Sequence, residues 1–220
     1  MNTLLRLENV NLGWGKETIL RELSFTFCRG EKIALIGASG AGKSTLLAEI
    51  FRRLGDSAAL CPQHTGLVDA LSGYHNIFMA QLERRCFWLN LWNLFFPLPS
   101  ARREIAELAH SFGLEEHLSR PVASLSGGER QRVALARACY RGKDIFLGDE
   151  PVSSLDPLQG EKILAQVCSR HETVMIALHN PAMALRYFDR VVALGAGQIR
   201  FDQPARSLSA ASLTDFYHVP

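Results

Sequence analysis

One run of nine residues constrains this chain more than any other: Gly37-Ala38-Ser39-Gly40-Ala41-Gly42-Lys43-Ser44-Thr45. It follows the apolar run Ile33-Ala34-Leu35-Ile36 and precedes an amphipathic segment carrying Leu46, Leu47, Ile50, Phe51 and Leu54. It therefore reads as the turn between a buried strand and a helix. Gly37, Gly40 and Gly42 let the backbone curl until successive N–H groups point inward at phosphate oxygens. The helix that starts there adds unpaired N–H groups and the positive end of its dipole. Lys43 brings a point charge to the β- and γ-phosphates, and the Ser44 hydroxyl is placed to ligate Mg²⁺. Chance produces such a match in fewer than about 1 in 100 chains of this length. The run is a nucleotide site.

The bulk numbers fit one domain built around it. The 220 residues suffice for a large α/β domain with a subdomain inserted, and 47% hydrophobic residues supply a core and argue against disorder. Lys plus Arg number 24 against 22 Asp plus Glu, a formal +2 with no long run of one sign. That balance argues against nucleic acid or anionic lipid as the main partner, since both call for a basic stripe. The five cysteines, Cys28, Cys61, Cys86, Cys139 and Cys168, are scattered without a C-x-x-C pair. They suggest neither a disulfide framework nor a zinc site, and they fit a reducing cytosol. Met1-Asn2-Thr3 runs straight into a strand-like pattern, so no signal peptide is expected. The most apolar stretch, Cys86 to Leu98, is interrupted by Asn90, Asn93 and Pro97, and it falls short of the ~20 residues that span a bilayer.

Along the chain, residues 4–12 and 20–27 read as two strands joined at Gly13-Trp14-Gly15-Lys16. Leu23, Phe25 and Phe27 alternate with polar neighbours, the period of a half-buried strand. After the helix ending near Leu54, residues 58–61 form a short strand leading to Pro62-Gln63. Residues 64–120 are helical in pattern apart from the aromatic run at 86–98, with Ile105, Leu108, Ala109 and Phe112 on one face. They are expected to form an inserted helical subdomain, closed by Pro121. Beyond it come a helix over about 128–140, a strand at 145–147, and a helix capped by Asp156 with Pro157 at its first position. Strands at 173–178 and 191–194 flank a helix capped at Asn180-Pro181, and Gly195-Ala196-Gly197 turns into 198–201. Alternating strands and helices imply a mainly parallel sheet covered on both faces.

Further motifs stand at fixed places in this rhythm. Leu125-Ser126-Gly127-Gly128-Glu129-Arg130-Gln131-Arg132 precedes a strand ending in Asp149-Glu150, where parallel sheets place ligand chemistry. Ser153-Ser154-Leu155-Asp156 follows, and His179 stands just past the strand Met175-Ile176-Ala177-Leu178. Taken in order over nearly the whole chain, these motifs and Gln63 resemble the ATPase subunits of ABC transporters. The resemblance implies a P-loop NTPase fold with a small antiparallel β-subdomain, and a cytoplasmic position, peripheral on the inner face of the cell membrane.

It also implies roles. Asp149 would bind Mg²⁺ through water, with Ser44 and Gln63 beside it. Glu150 would be the general base that polarises the attacking water. His179 would hydrogen-bond the γ-phosphate, Gln63 would touch the metal and sense a transmembrane partner, and Trp14 would stack on adenine. For Trp14 a turn aromatic packed on the core stays open. Ser126, Gly127, Gly128 and Glu129 would complete the ATP site of a second subunit, so two chains would face head to tail with two ATP molecules between them. The other implied partners are transmembrane permease subunits and, indirectly, an extracytoplasmic solute-binding protein, with no nucleic acid. Two departures stand out. Only 20 residues separate Lys43 from Gln63, about half the usual number, which predicts a reduced antiparallel subdomain. Gly148 replaces a bulky apolar residue and suggests close approach of another backbone.

Within the family, Gly66-Leu67-Val68-Asp69-Ala70-Leu71-Ser72, the aromatic run near Phe87-Trp88, and the stretches at 178–179, 184–187 and 191–194 resemble the ATPase of phosphonate importers. A non-transport ABC ATPase acting on DNA or ribosomes is the other reading, though the chain carries no long coiled-coil insertion or second ATPase domain. The aromatics at 86–98 are expected mostly to fill the core of the helical subdomain, with Phe87, Trp88 or Trp92 held open as a docking surface.

Overall fold

The computed structural model describes residues 2–15 and 17–213; Met1, Lys16 and residues 214–220 lie outside them. The first two strands, β1 (Thr3–Trp14) and β2 (Glu17–Cys28), form an antiparallel pair of their own. Both reach further than their alternating cores suggest, so Gly13 and Trp14 belong to β1 rather than to the turn. Among the described residues the separate antiparallel sheet is this two-stranded ribbon, the reduced form expected from the short interval before Gln63.

The larger sheet has six strands. Its members are β3 (Lys32–Ile36), β4 (Ala58–Cys61), β5 (Ile145–Asp149), β6 (Thr173–Ala177), β7 (Arg190–Gly195) and β8 (Gln198–Pro204). Their spatial order is β4-β5-β6-β3-β7-β8, parallel except for β8, which returns antiparallel to β7. Alternation along the buried strands sends side chains to opposite faces. Ile33, Leu35, Leu147 and Met175 join Leu7, Leu20, Phe25 and Phe27 of the ribbon and Leu46, Leu47 and Ile50 of α1 (Lys43–Leu54) in one core. Ala34, Ile36, Phe146 and Ile176 face the other core, under α5 (Gly127–Tyr140), α6 (Pro157–Arg170) and α7 (Pro181–Tyr187).

Asp156 caps α6 by accepting from the Gln159 N–H at 3.0 Å, with Pro157 at its first position; Asn180 caps α7 in the same way, accepting from Ala182 and Met183. Between β4 and α5 lie α2 (Gly73–Phe78), α3 (Phe87–Phe95) and α4 (Pro99–Phe112). The chain enters and leaves this region side by side. Ser72 pairs with Pro121, and backbone hydrogen bonds join Gly73 to Arg120, Tyr74 to Leu118 and Val122 to Leu71.

Two expectations need correction here. The aromatic run is helical, as α3, and it does not fill a core: Phe87, Trp88, Leu89, Leu91, Trp92, Leu94 and Phe95 are all exposed. The buried member of the helix is polar. Asn93 is 1% exposed, and its Oδ1 accepts from the Tyr74 hydroxyl and the Leu98 N–H, both at 2.8 Å. Asn90, one turn earlier, donates to the Leu82 carbonyl at 2.9 Å. Each amide is paired through one end only, since Asn90 Oδ1 and Asn93 Nδ2 are buried without a partner, and together the two mark which side of α3 faces inward. The second correction concerns Gly148. A Cβ there would stand 3.0 Å from Phe146 Cε1 and Pro151 Cγ and 3.2 Å from Ile176 Cγ1, so neighbouring side chains, not another backbone, occupy the space.

Candidate active site

The strand order makes the site. β4, β5, β6 and β3 are neighbours, so their C-terminal ends present Gln63, Asp149 with Glu150, His179 and the 37–42 loop along one edge. A parallel sheet places ligands at this end of its strands.

The loop is shaped by its glycines at two points. Gly37 passes so close to β7 that a Cβ would lie 2.4 Å from the Leu194 carbonyl oxygen. Gly42 is left-handed, with φ 98°, and a Cβ would collide with Leu20 of the ribbon. From Gly42 the chain enters α1 with no side chain capping its first N–H groups and no acidic residue in its first turn. Those donors, together with the exposed backbone of 38–40, remain available to an anion.

Lys43 is buried, and its ammonium donates to the carbonyls of Gly37 at 2.8 Å and Ala38 at 3.1 Å. Burial lowers its pKa, opposed by the charges of Glu150 and Asp149. Glu150 Oε1 lies 3.8 Å from Lys43 Nζ and 2.5 Å from His179 Nε2, so one carboxylate oxygen stands between the two basic groups. The Glu150 backbone is left-handed, with φ 52°, at the point where β5 stops and turns. Its N–H still donates to Ala177, and its carbonyl accepts from the Ser153 hydroxyl and the Gln131 amide. Asp149 is 8% exposed, and its Oδ1 is buried without a hydrogen-bond partner. An orphaned carboxylate oxygen beside a phosphate loop fits a hard cation and its waters.

Trp14 is 60% exposed, which rules out the packed-turn reading, and its indole N–H donates to Thr45 Oγ1 at 3.2 Å. Trp14, Gly13 and Leu12 form one wall of a cleft of about 730 Å³ whose other wall is Thr45, Ala48 and Glu49 of α1. Ser44 is exposed at the start of α1, and Gln63 is exposed two residues beyond β4. Ser126, Gly127, Gly128 and Glu129 are not gathered with these residues: among the described residues no hydrogen bond or ion pair joins them to 37–45. Ser126 and Glu129 close a capping box at the N-terminus of α5, and Glu129 approaches His117. The Ser126 backbone N–H is the main cause of the lowered Glu129 pKa.

Residues 20–58 and 50–153 match the ABC transporter family. A phosphonates import ATP-binding protein PhnC of Stutzerimonas stutzeri is 33% identical over 251 aligned residues, covering 99% of this chain and 90% of that protein. The chain belongs to the ABC transporter family. A phosphonates import ATP-binding protein PhnC 1 of Natronomonas pharaonis is 34% identical, covering 97% and 99%. The dimeric structure of MJ0796, a bacterial ABC transporter cassette, shares the fold with a TM-score of 0.78 at 23% identity, covering 92% of this chain and 99% of that one. A post-hydrolysis dimer of the same cassette bound to ADP and Pi gives 0.73 at 24%. The protein is an ABC ATPase.

Two residues to which no role had been assigned, Gln131 within the motif at 125–132 and Arg137 beyond it, support the site of this ABC ATPase from α5. Gln131 donates to the Glu150 carbonyl at 3.4 Å. Arg137 donates to the carbonyls of Thr65 and, at 2.9 Å, Gly66, holding the loop just past Gln63, and burial lowers its pKa. The available signal was a helix rich in arginine, and its partners are backbone carbonyls without sequence identity.

Proposed function

We propose that the chain is the ATP-hydrolysing subunit of an importer for phosphonates or related small anions. The single observation that carries the site reading is the convergence at one sheet edge of Lys43, Asp149, Glu150 and His179, with one Glu150 oxygen between the lysine and the histidine. In this reading the 37–45 loop and the α1 N-terminus bind the phosphates of ATP, and Lys43 turns from its carbonyl partners to the β- and γ-phosphates. Trp14 covers adenine above the cleft beside Thr45. Glu150 accepts the proton of the attacking water, and His179 orients it and contacts the γ-phosphate. Ser44, Gln63 and Asp149 would hold Mg²⁺, which supplies charge neutralisation at the transferring phosphoryl group.

Ser126, Gly127, Gly128 and Glu129 serve the ATP of a second copy, so the working unit is a head-to-tail homodimer. The helical region at about 64–120 is a subdomain inserted in a single ATPase domain covering 1–220. Permease subunits anchor the pair to the inner face of the membrane, and a solute-binding protein delivers cargo to them. Among the described residues no helix is long and apolar enough to cross a membrane. The importer reading rests on the printed names of relatives at about one-third identity over nearly the whole chain.

Glu150→Gln keeps size and hydrogen bonding but removes the base. ATP binding should persist while turnover falls by roughly 10²–10⁴-fold, whereas Lys43→Ala should weaken binding itself. Wild-type turnover in the Glu150→Gln variant would put the base elsewhere. The cargo is tested by uptake of a radiolabelled alkylphosphonate in cells relying on this chain, which the same variant should abolish.

A further inference from the structure

α3 is an inverted helix, with its polar residues turned inward and its apolar ones turned out. Trp88 is 74% exposed and Phe87, Phe95, Phe96 and Trp92 more than half, while Asn90 and Asn93 hold the helix to the protein. From Cys86 to Leu98 no residue is charged. Monomeric proteins rarely expose a continuous apolar surface of this kind without a use for it.

Charge at both ends names the partner. Residues 79–104 hold four arginines, Arg84, Arg85, Arg102 and Arg103, against two acids, Glu83 and Glu104. Arg84, Arg102 and Arg103 are exposed, and among the described residues Arg102 and Arg103 form no ion pair. Arg85 and Arg102, opposed by Glu104, all act on the Tyr74 hydroxyl that donates to Asn93, so charge from both flanks of α3 reaches its inner side. The helix itself carries no charge and its arginines stand in the flanking segments, so Trp and Phe would enter a lipid headgroup layer while the flanks meet lipid phosphates. At about 14 Å, its nine residues are too short to cross the hydrocarbon and long enough to lie along it. The chain-wide balance of +2 conceals this local excess.

We infer that α3 is a bilayer-contacting element: it seats Phe87, Trp88, Trp92 and Phe95 among the headgroups of an anionic membrane, with Arg102 and Arg103 on lipid phosphates. The inference rests on reading the chain as a membrane-side subunit, and the two fail separately, because vesicle binding needs neither permease nor cargo.

The test is flotation of the purified full chain, without permease, on vesicles of phosphatidylcholine alone or of phosphatidylcholine with phosphatidylglycerol. The chain should float with the anionic vesicles, less well as salt rises, with a blue shift of tryptophan emission and quenching by lipids brominated near the headgroup. Trp88→Ser with Trp92→Ser should reduce partitioning at least ~10-fold and leave melting temperature and ATP binding unchanged. If that pair unfolds, the single Trp88→Ser change carries the comparison. Arg102→Gln with Arg103→Gln should remove the preference for anionic lipid. No flotation by the native chain overturns the inference, as does flotation that survives loss of the tryptophans. Capture by purified permease, lost in the tryptophan variant while vesicles are ignored, would make α3 a protein-docking face instead. Flotation without phosphonate uptake would leave the inference standing and overturn the cargo reading.

Discussion

Arg137 shows what one side chain does for this site. Its guanidinium is drawn partly out of water to hold two loop carbonyls beyond Gln63, and among the described residues no carboxylate is its hydrogen-bond partner. Arg137→Met keeps much of the packing but leaves the part-buried Thr65 carbonyl unpaired while water reaches that of Gly66, so it should cost about 1–2 kcal/mol and loosen residues 64–66. Denaturant unfolding measures the first effect and amide exchange the second; unchanged exchange at Gly66 would show that the loop is held by something else. The phosphate loop was legible because its chemistry is written in consecutive residues, and Asp149, Glu150 and His179 because each ends an apolar run. Arg137 and Gln131 were not, because a carbonyl partner leaves no mark in the sequence. Trp14 was legible as an aromatic at the right place, but only its exposure and its bond to Thr45 separate a cleft wall from core packing.

At the scale of elements, α1 carries its own charge device outside the phosphate site. Glu49 accepts from both Arg52 and Arg53, and chiefly the Arg52 hydrogen bonds hold its pKa at about 2. A carboxylate depressed in the folded state adds stability above its ordinary value of 4.5, lost as pH falls toward about 2. The melting-temperature gap between the native chain and Glu49→Gln should therefore be widest above that window and close within it. A gap that stays constant down to the acid limit would refute the pairing. In β5, Gly148→Leu would drive a side chain into Phe146, Pro151 and Ile176, at a cost of about 1–3 kcal/mol measurable by thermal unfolding. The strands and their helices followed from alternation, apolar runs and caps, and nearly all lie where those signals put them. α3 failed that logic because a helix apolar on most sides reads as buried. The informative residues were Asn90 and Asn93, three apart, whose amides mark the inner side only once Tyr74 and the Leu82 and Leu98 backbones are seen to meet them.

For the whole molecule, the separation of 126–129 from 37–45 leads to a statement about mass. With ATP and Mg²⁺ the Glu150→Gln variant should elute as two chains and with ADP as one, each chain being 24.4 kDa. Light scattering decides it, and a single-chain mass under saturating ATP would count against the shared site. Strand order lay beyond the sequence: nothing in the apolar runs says that β3 sits between β6 and β7, yet that neighbourhood assembles the site. Helix α5 adds a mechanical consequence. It is pinned at Arg137 and carries Ser126 at its tip, eleven residues away, a lever arm of about 16 Å. A tilt of about 10° would swing the tip by about 3 Å, the reach of one hydrogen bond. On the proposed two-chain reading, a rotation of that size would be enough to engage or release a neighbour's phosphate.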